Sequence, residues 1–210
     1  MILQQNALPG CTAVFGKSGT GKTTFALRYT VANDDLVCRF MFENPKLDLS
    51  AKTGLVCAET EEELRLAMED GFVIFNSSKM FPGDRKAAFE WFCKWSYDEA
   101  GRLPGRKLLL VDEVWRYCSP NSIPLALSQW IQDGRGLGME TMFCTQTPNK
   151  LHDSITNEAT EIVCFRLQGG RALEKIQDLE LEPSEIKALP PGHFVALNTD
   201  SGAELRGRMW

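Results

Sequence analysis

Short runs of apolar, β-branched and aromatic residues recur along the chain, at Cys11–Phe15, Leu36–Phe42, Phe72–Asn76, Leu108–Val111, Met139–Thr145, Ile162–Leu167 and Phe194–Leu197. Each is short and apolar at successive positions, the pattern of a strand covered on both faces. Between several of them lie stretches with helical spacing: Thr23–Val31, Glu61–Glu69, Arg85–Glu99 and Ile123–Asp133. Strand and helix in alternation predict an α/β fold with a mostly parallel sheet flanked by helices on both faces. The closing stretch FVALNTDSGAELRGRMW departs from this pattern. It reads as two extended segments around an Asp-Ser-Gly turn, a C-terminal antiparallel edge hairpin. Within the third helical stretch, Ala88, Phe89, Phe92, Cys93 and Ser96 share one stripe, and Trp91 and Trp95 form an adjacent one. Together they make a wide apolar face, suited to burial against the sheet or to a subunit interface.

Length and charge narrow the picture. The 210 residues, 43% of them apolar and 24% charged, suit a single domain over 1–210 with a full core. With 23 basic against 28 acidic residues the net charge is -5, which argues against a nucleic-acid binder that uses its whole surface. A protein that grips DNA through a few local loops is not excluded, because such contacts form a patch. No apolar run is long enough for a membrane helix, and the N-terminal MILQQNALPGCTAVFG lacks a signal peptide's basic start and apolar core. A soluble intracellular protein is expected. The seven cysteines are scattered without a C-x-x-C pair, and neither His152 nor His193 stands at metal spacing from one. They read as reduced core residues, not zinc ligands.

The strongest chemical signal follows the first apolar run. GKSGTGKTT fits G-x-x-x-x-G-K-[ST], the Walker A pattern, between a strand and a helix. The glycines let backbone N–H groups turn toward a phosphate chain, and the helix adds its positive end to the same charge. Gly16, Lys17, Ser18, Gly19, Thr20, Gly21, Lys22, Thr23 and Thr24 are therefore the nucleotide-binding candidates, with Lys22 on the terminal phosphates and Thr23 on magnesium. The run KLLLVDEVW supplies a Walker B element. Acidic residues at the tip of a buried strand are costly unless a cation needs them, so Asp112 is assigned to the metal shell and Glu113 to orienting and polarising a water. Gln146 stands at the carboxyl end of the Met139–Thr145 run, where ligands meet an open α/β sheet, and is a candidate phosphate sensor. Arg135, between glycines in DGRGLG, is a candidate finger acting on a neighbouring subunit's nucleotide.

This ordered set resembles the FtsK/HerA superfamily of ring-forming DNA-pumping ATPases. The resemblance rests on GKSGTGKTT, LLLVDEVW and the stretch GRGLGMETMFCTQTPNKLHDSITNEATEIVCFRLQGGRALEKI, with Arg135, Gly138, Thr145, Gln146, Pro148, Phe165 and Arg166 at the family's positions. ENPK, with Pro45 and Lys46, looks like the family's Asp-Pro-Lys turn, with Asn44 replacing the aspartate. The match runs from about Gly10 to about Leu197 and implies a RecA/ASCE-like P-loop NTPase fold, ATP and Mg2+ as cofactors, and a homo-oligomeric ring, taken as a hexamer, acting on double-stranded DNA without sequence preference. It also implies roles: Lys22, Glu113, Gln146 and Arg135 catalytic, Thr23 and Asp112 on the metal, and Arg166 or Arg171 as a second interface cation. Small size points toward the compact genome-packaging ATPases of viruses with an internal membrane. A capsid vertex or membrane protein would then be a partner, and the location would be host cytoplasm or virion. DNA contacts are expected from Lys79, Arg85 and Lys86 in SSKMFPGDRK and from Lys150 in TPNKLHDS, since a ring repeats each loop into a basic collar.

Rival readings are a small-molecule or nucleoside kinase, a non-catalytic NTP switch, and an ATPase of the same superfamily serving conjugation, secretion or phage export. A kinase needs an acceptor site and often an arginine-rich lid, and no such cluster stands out. Glu113 directly after Asp112 favours hydrolysis.

Overall fold

The computed structural model describes residues 10–46 and 48–210. The first nine residues, on which the reading against a signal peptide partly rests, lie outside them. No described helix is long and apolar enough to cross a membrane.

The chain runs β1 (Cys11–Phe15), α1 (Lys22–Ala32), β2 (Leu36–Phe42), α2 (Asp48–Thr53), α3 (Glu61–Glu69), β3 (Phe72–Phe75), α4 (Arg85–Arg102) and β4 (Arg106–Val111). It continues with α5 (Leu125–Gln132), β5 (Met139–Thr145), α6 (Asp153–Asn157), β6 (Ala159–Phe165), α7 (Gly170–Asp178), α8 (Pro183–Ala188), β7 (His193–Asn198) and β8 (Glu204–Arg208). The eight strands form one sheet in the order β3-β2-β4-β5-β1-β6-β7-β8. Strands β1 to β6 pair in parallel, and β7 and β8 are antiparallel, which is the fold class expected, edge hairpin included.

Alternation along the strands divides the core between the two faces. Ala13, Phe15, Phe40, Phe42 and Phe143 point to the side covered by α3 to α8, whereas Val14, Met41, Leu110, Met142 and Cys144 pack with α1 and Leu49 of α2. The Trp91/Trp95 face is used inward: Trp95 is buried, and Trp91 is half-buried against Phe75 and Phe81. All seven cysteines are free thiols, six of them buried.

Two boundaries differ from expectation for a common reason. β4 begins at Arg106, because Lys107 breaks the apolar run yet is buried, its ammonium donating to the Leu103 and Leu137 carbonyls at 2.9 and 2.7 Å. β6 begins at Ala159, with Glu161 paired to Thr12 inside the sheet. In both, a polar residue within the strand, Lys107 or Glu161, hid strand that the backbone completes.

Candidate nucleotide site

In a parallel sheet the carboxyl ends of the strands share one edge, and on this edge β1, β4, β5 and β6 bring the expected groups together. Register places Phe15 of β1 beside Thr145 of β5 and Cys164 of β6, so the loop leaving β1 is held from both sides. Gly16 N–H donates to Thr145 O at 3.2 Å, and Lys17 N–H donates to Arg166 O at 2.9 Å. Gly16 is required by crowding, since a Cβ there would lie 2.7 Å from Phe165 Cβ. Gly21 is required by conformation, with φ +113 immediately before α1. No side chain caps α1 and no acid lies in its first turn, so its positive end is left for an anion. Lys22 is buried, and its ammonium reaches the Lys17 carbonyl at 3.5 Å and the Glu113 carboxylate at 3.9 Å.

Thr23 Oγ1 donates to Asp112 Oδ2 at 3.2 Å. Asp112 Oδ1 is buried without a partner, and burial, with the Glu113 charge beside it, raises the Asp112 pKa against the pull of Lys22 and Thr23. A buried orphan carboxylate oxygen beside a threonine hydroxyl suits a hard divalent cation that takes oxygen ligands. Among the described residues no cluster of three His, Cys, Asp or Glu could hold a metal by itself. Thr23 and Asp112 would thus hold magnesium together with water and phosphate oxygens, the usual habit of that ion.

Glu113 ends the strand in the left-handed region, φ 52 and ψ 47, an uncommon backbone for a residue with a Cβ. Its carboxylate is fixed by three donors: Gln146 Nε2–H to Oε1 at 2.6 Å, and Trp115 Nε1–H at 2.7 Å and the Gln146 backbone N–H at 3.4 Å to Oε2. Trp115 was missed by sequence reasoning, although its place two residues after Glu113 was the available signal. The turn Val114–Arg116 carries it back onto the acid. Its ring also receives Lys150, whose ammonium stands 4.7 Å from the centroid.

The remaining candidates separate. Arg135 is exposed in the turn Gly134–Leu137 that precedes β5, and so stands at the opposite edge of the sheet from Lys22. It cannot reach its own chain's P-loop. Arg166 follows β6 on the P-loop edge with a buried, unpartnered Nε, and Arg171 is exposed at the start of α7. Lys79 and Lys86 are exposed beyond β3, and Lys150 beyond β5, on the same edge. Arg85 departs from the expectation of a DNA contact. Its guanidinium turns inward to the Glu43 carbonyl and, at 3.2 Å, the Tyr117 hydroxyl, and lies over the Phe42 ring. The Glu43 carboxylate beneath it accepts from the backbone N–H groups of Leu49 and Ser50 and ties α2 to β2.

Sheet order, P-loop and acidic strand end define a P-loop NTPase fold. No protein-family model matches the chain, and no curated protein matches it by sequence. Among solved structures, the genome packaging NTPase B204 from Sulfolobus turreted icosahedral virus 2, in complex with AMPPCP, superposes with a TM-score of 0.77 at 13% identity, covering 97% of this chain and 100% of that one. The DNA-packaging ATPase B204 from Sulfolobus Turreted Icosahedral Virus gives 0.76 at 15% identity over 97% and 100%. VirB4 of Thermoanaerobacter pseudethanolicus gives 0.70 at 11% identity over 95% and 89%. At these identities the likeness is one of fold.

Proposed function

We propose that the protein is a magnesium-dependent ATPase that works as a ring-forming motor on double-stranded DNA and packages a viral genome. The observation that carries the ATPase reading is the convergence of Lys22, the Thr23–Asp112 pair and the Glu113–Gln146 pair on one edge of the sheet. Backbone amides of the P-loop and the start of α1 receive the phosphates, and Lys22 offsets their charge. Magnesium, when bound, neutralises charge on the phosphate oxygens and fixes their orientation. Glu113, positioned by Gln146 and Trp115, accepts the proton of the attacking water. The Gln146 amide that orients Glu113 Oε1 is also placed to meet a terminal phosphate, so the same glutamine positions the base and senses the phosphate.

The motor reading is supported by Arg135. An exposed arginine on the edge opposite the P-loop acts on nucleotide only across a subunit boundary, as a closed ring supplies. DNA and packaging are supported by the resemblance to FtsK/HerA ATPases and by the likeness to the two packaging enzymes. Lys79, Lys86 and Lys150 would contribute the basic collar, and host cytoplasm or virion the setting. A second reading, a motor of the same superfamily for conjugation, secretion or phage export, is favoured by the fold likeness to VirB4. Phosphate release from ATP, with and without long double-stranded DNA, tests the proposal, with Lys22→Ala and Glu113→Gln as controls. Turnover that DNA raises, that grows more than linearly with protein concentration and that both substitutions abolish is expected. Turnover indifferent to DNA and to concentration would sink the DNA-motor reading and leave the ATPase.

A further inference from the structure

The groups that would face the terminal phosphate lie on the β4 and β5 side of the P-loop, in Asp112, Glu113 and Gln146. A triphosphate laid along the loop amides with its reacting end there directs its nucleoside to the other side of β1, toward β6, β7 and β8. On that side the segment after β8 returns to the P-loop. Gly192 N–H donates to Thr20 O at 3.3 Å, Met209 N–H donates to Gly192 O at 2.9 Å, and Arg28 of α1 donates to Met209 O at 2.5 Å. These bonds pin the backbone that carries Trp210. A Cβ placed on Gly192 would lie 2.7 Å from Trp210 Cε2, and one on Gly21 would lie 3.4 Å from its Cη2. The indole therefore rests directly against Gly192 and beside the last glycine of the P-loop. Yet Trp210 is 62% exposed, the one aromatic among the large apolar side chains that stand out in solvent in the described residues.

We propose that Trp210 is the stacking platform for the nucleobase of the bound nucleotide. The inference rests on the reading of this edge as an ATP site. Three anchored contacts and two glycines hold an otherwise solvent-facing indole in place, so little ordering is left to occur on binding. Stacking uses the π-face that every base has, so the platform adds affinity with little discrimination between adenine and guanine.

Titration calorimetry of the full chain with magnesium present separates the two levels of the argument. The probes are AMPPCP, its guanosine counterpart and inorganic tripolyphosphate, which carries the phosphates alone. Trp210→Ala is expected to weaken both nucleotide analogues about ten-fold, the order found when a base-stacking aromatic is removed, and to leave tripolyphosphate within two-fold. Trp210→Phe should recover most of the loss. Unchanged tripolyphosphate binding also reports that the variant is folded at the P-loop. If Trp210→Ala binds the analogues as tightly as the wild type, or loses all three probes equally, Trp210 is not a base platform while the ATP site stands. If the wild type binds none of the three, the ATP site itself is refuted, and this inference with it.

Discussion

Gln146 Nε2 lies 2.6 Å from Glu113 Oε1, joining the tips of β5 and β4 next to the buried ammonium of Lys22. The pair links a polar amide that can meet a phosphate to the carboxylate that would take a proton from water. Neither residue is held by bulk packing: Gln146 is exposed and Glu113 half-buried. Their geometry therefore depends on each other and on Trp115.

Because the amide positions the base without itself taking the proton, the two substitutions should differ in kind. Glu113→Gln is expected to lower kcat by about 10² to 10⁴, the span of general-base catalysis, with ATP binding retained. Gln146→Ala is expected to cost roughly ten- to a hundred-fold in kcat with KM within about three-fold, as loss of orientation does. Steady-state phosphate release over a range of ATP concentrations separates these outcomes, and equal effects of both substitutions on KM alone would show that the pair binds substrate only.

Arg135 stands at the amino end of β5 and Lys22 beyond the carboxyl end of β1, so an arginine finger here acts between chains. Arg135→Ala should bind nucleotide normally and hydrolyse about 10³-fold more slowly under assembling conditions. Mixing provides the sharper check. Arg135→Ala subunits keep an intact P-loop, and Lys22→Ala subunits keep an intact arginine, so mixtures of two inactive proteins should regain turnover. A mixture as inactive as its components would remove Arg135 from the site.

Most of the sheet, and the set of residues gathered at its edge, were legible in the sequence because both are local signals. An apolar run announces a buried strand, and GKSGTGKTT combines spacing, glycine and charge within a few residues. The order of strands and the side on which each loop emerges were not local. Hence Arg85 looked like a free cation when its partners, Glu43 and Tyr117, lie on other elements. Helices α2, α6 and α8 were missed as short elements whose stability comes from packing, which periodicity over so few residues does not disclose; α7, as long as α3 and clearly two-faced, carried a helical pattern that was passed over. Trp210 was silent for the same reason: nothing in ELRGRMW says that Gly192 and Gly21 lie beneath its ring.

Strand β6, beside the edge hairpin, carries a pH dependence that the sequence did not suggest. Glu161 of β6 lines a groove of about 790 Å³ between α1 and the β7–β8 hairpin, facing Arg28 and Tyr29 of α1, Asn198 of β7, and Glu204 and Arg208 of β8. Burial first, and then the charge of Glu140, push its pKa up to about 7 from an ordinary value of 4.5. A carboxyl whose folded pKa is raised binds its proton more tightly when folded, so stability is greatest below about pH 4.5 with respect to this group and falls as the pH rises through about 7. The loss at pH 8 is on the order of 1–3 kcal/mol at 25 °C. Glu161→Gln keeps the shape and removes the charge. Its denaturation midpoint should exceed that of the wild type at pH 8, with the gap closing toward pH 5. A gap that is constant across this range would mean that Glu161 is ionised in the folded protein and solvated in the groove.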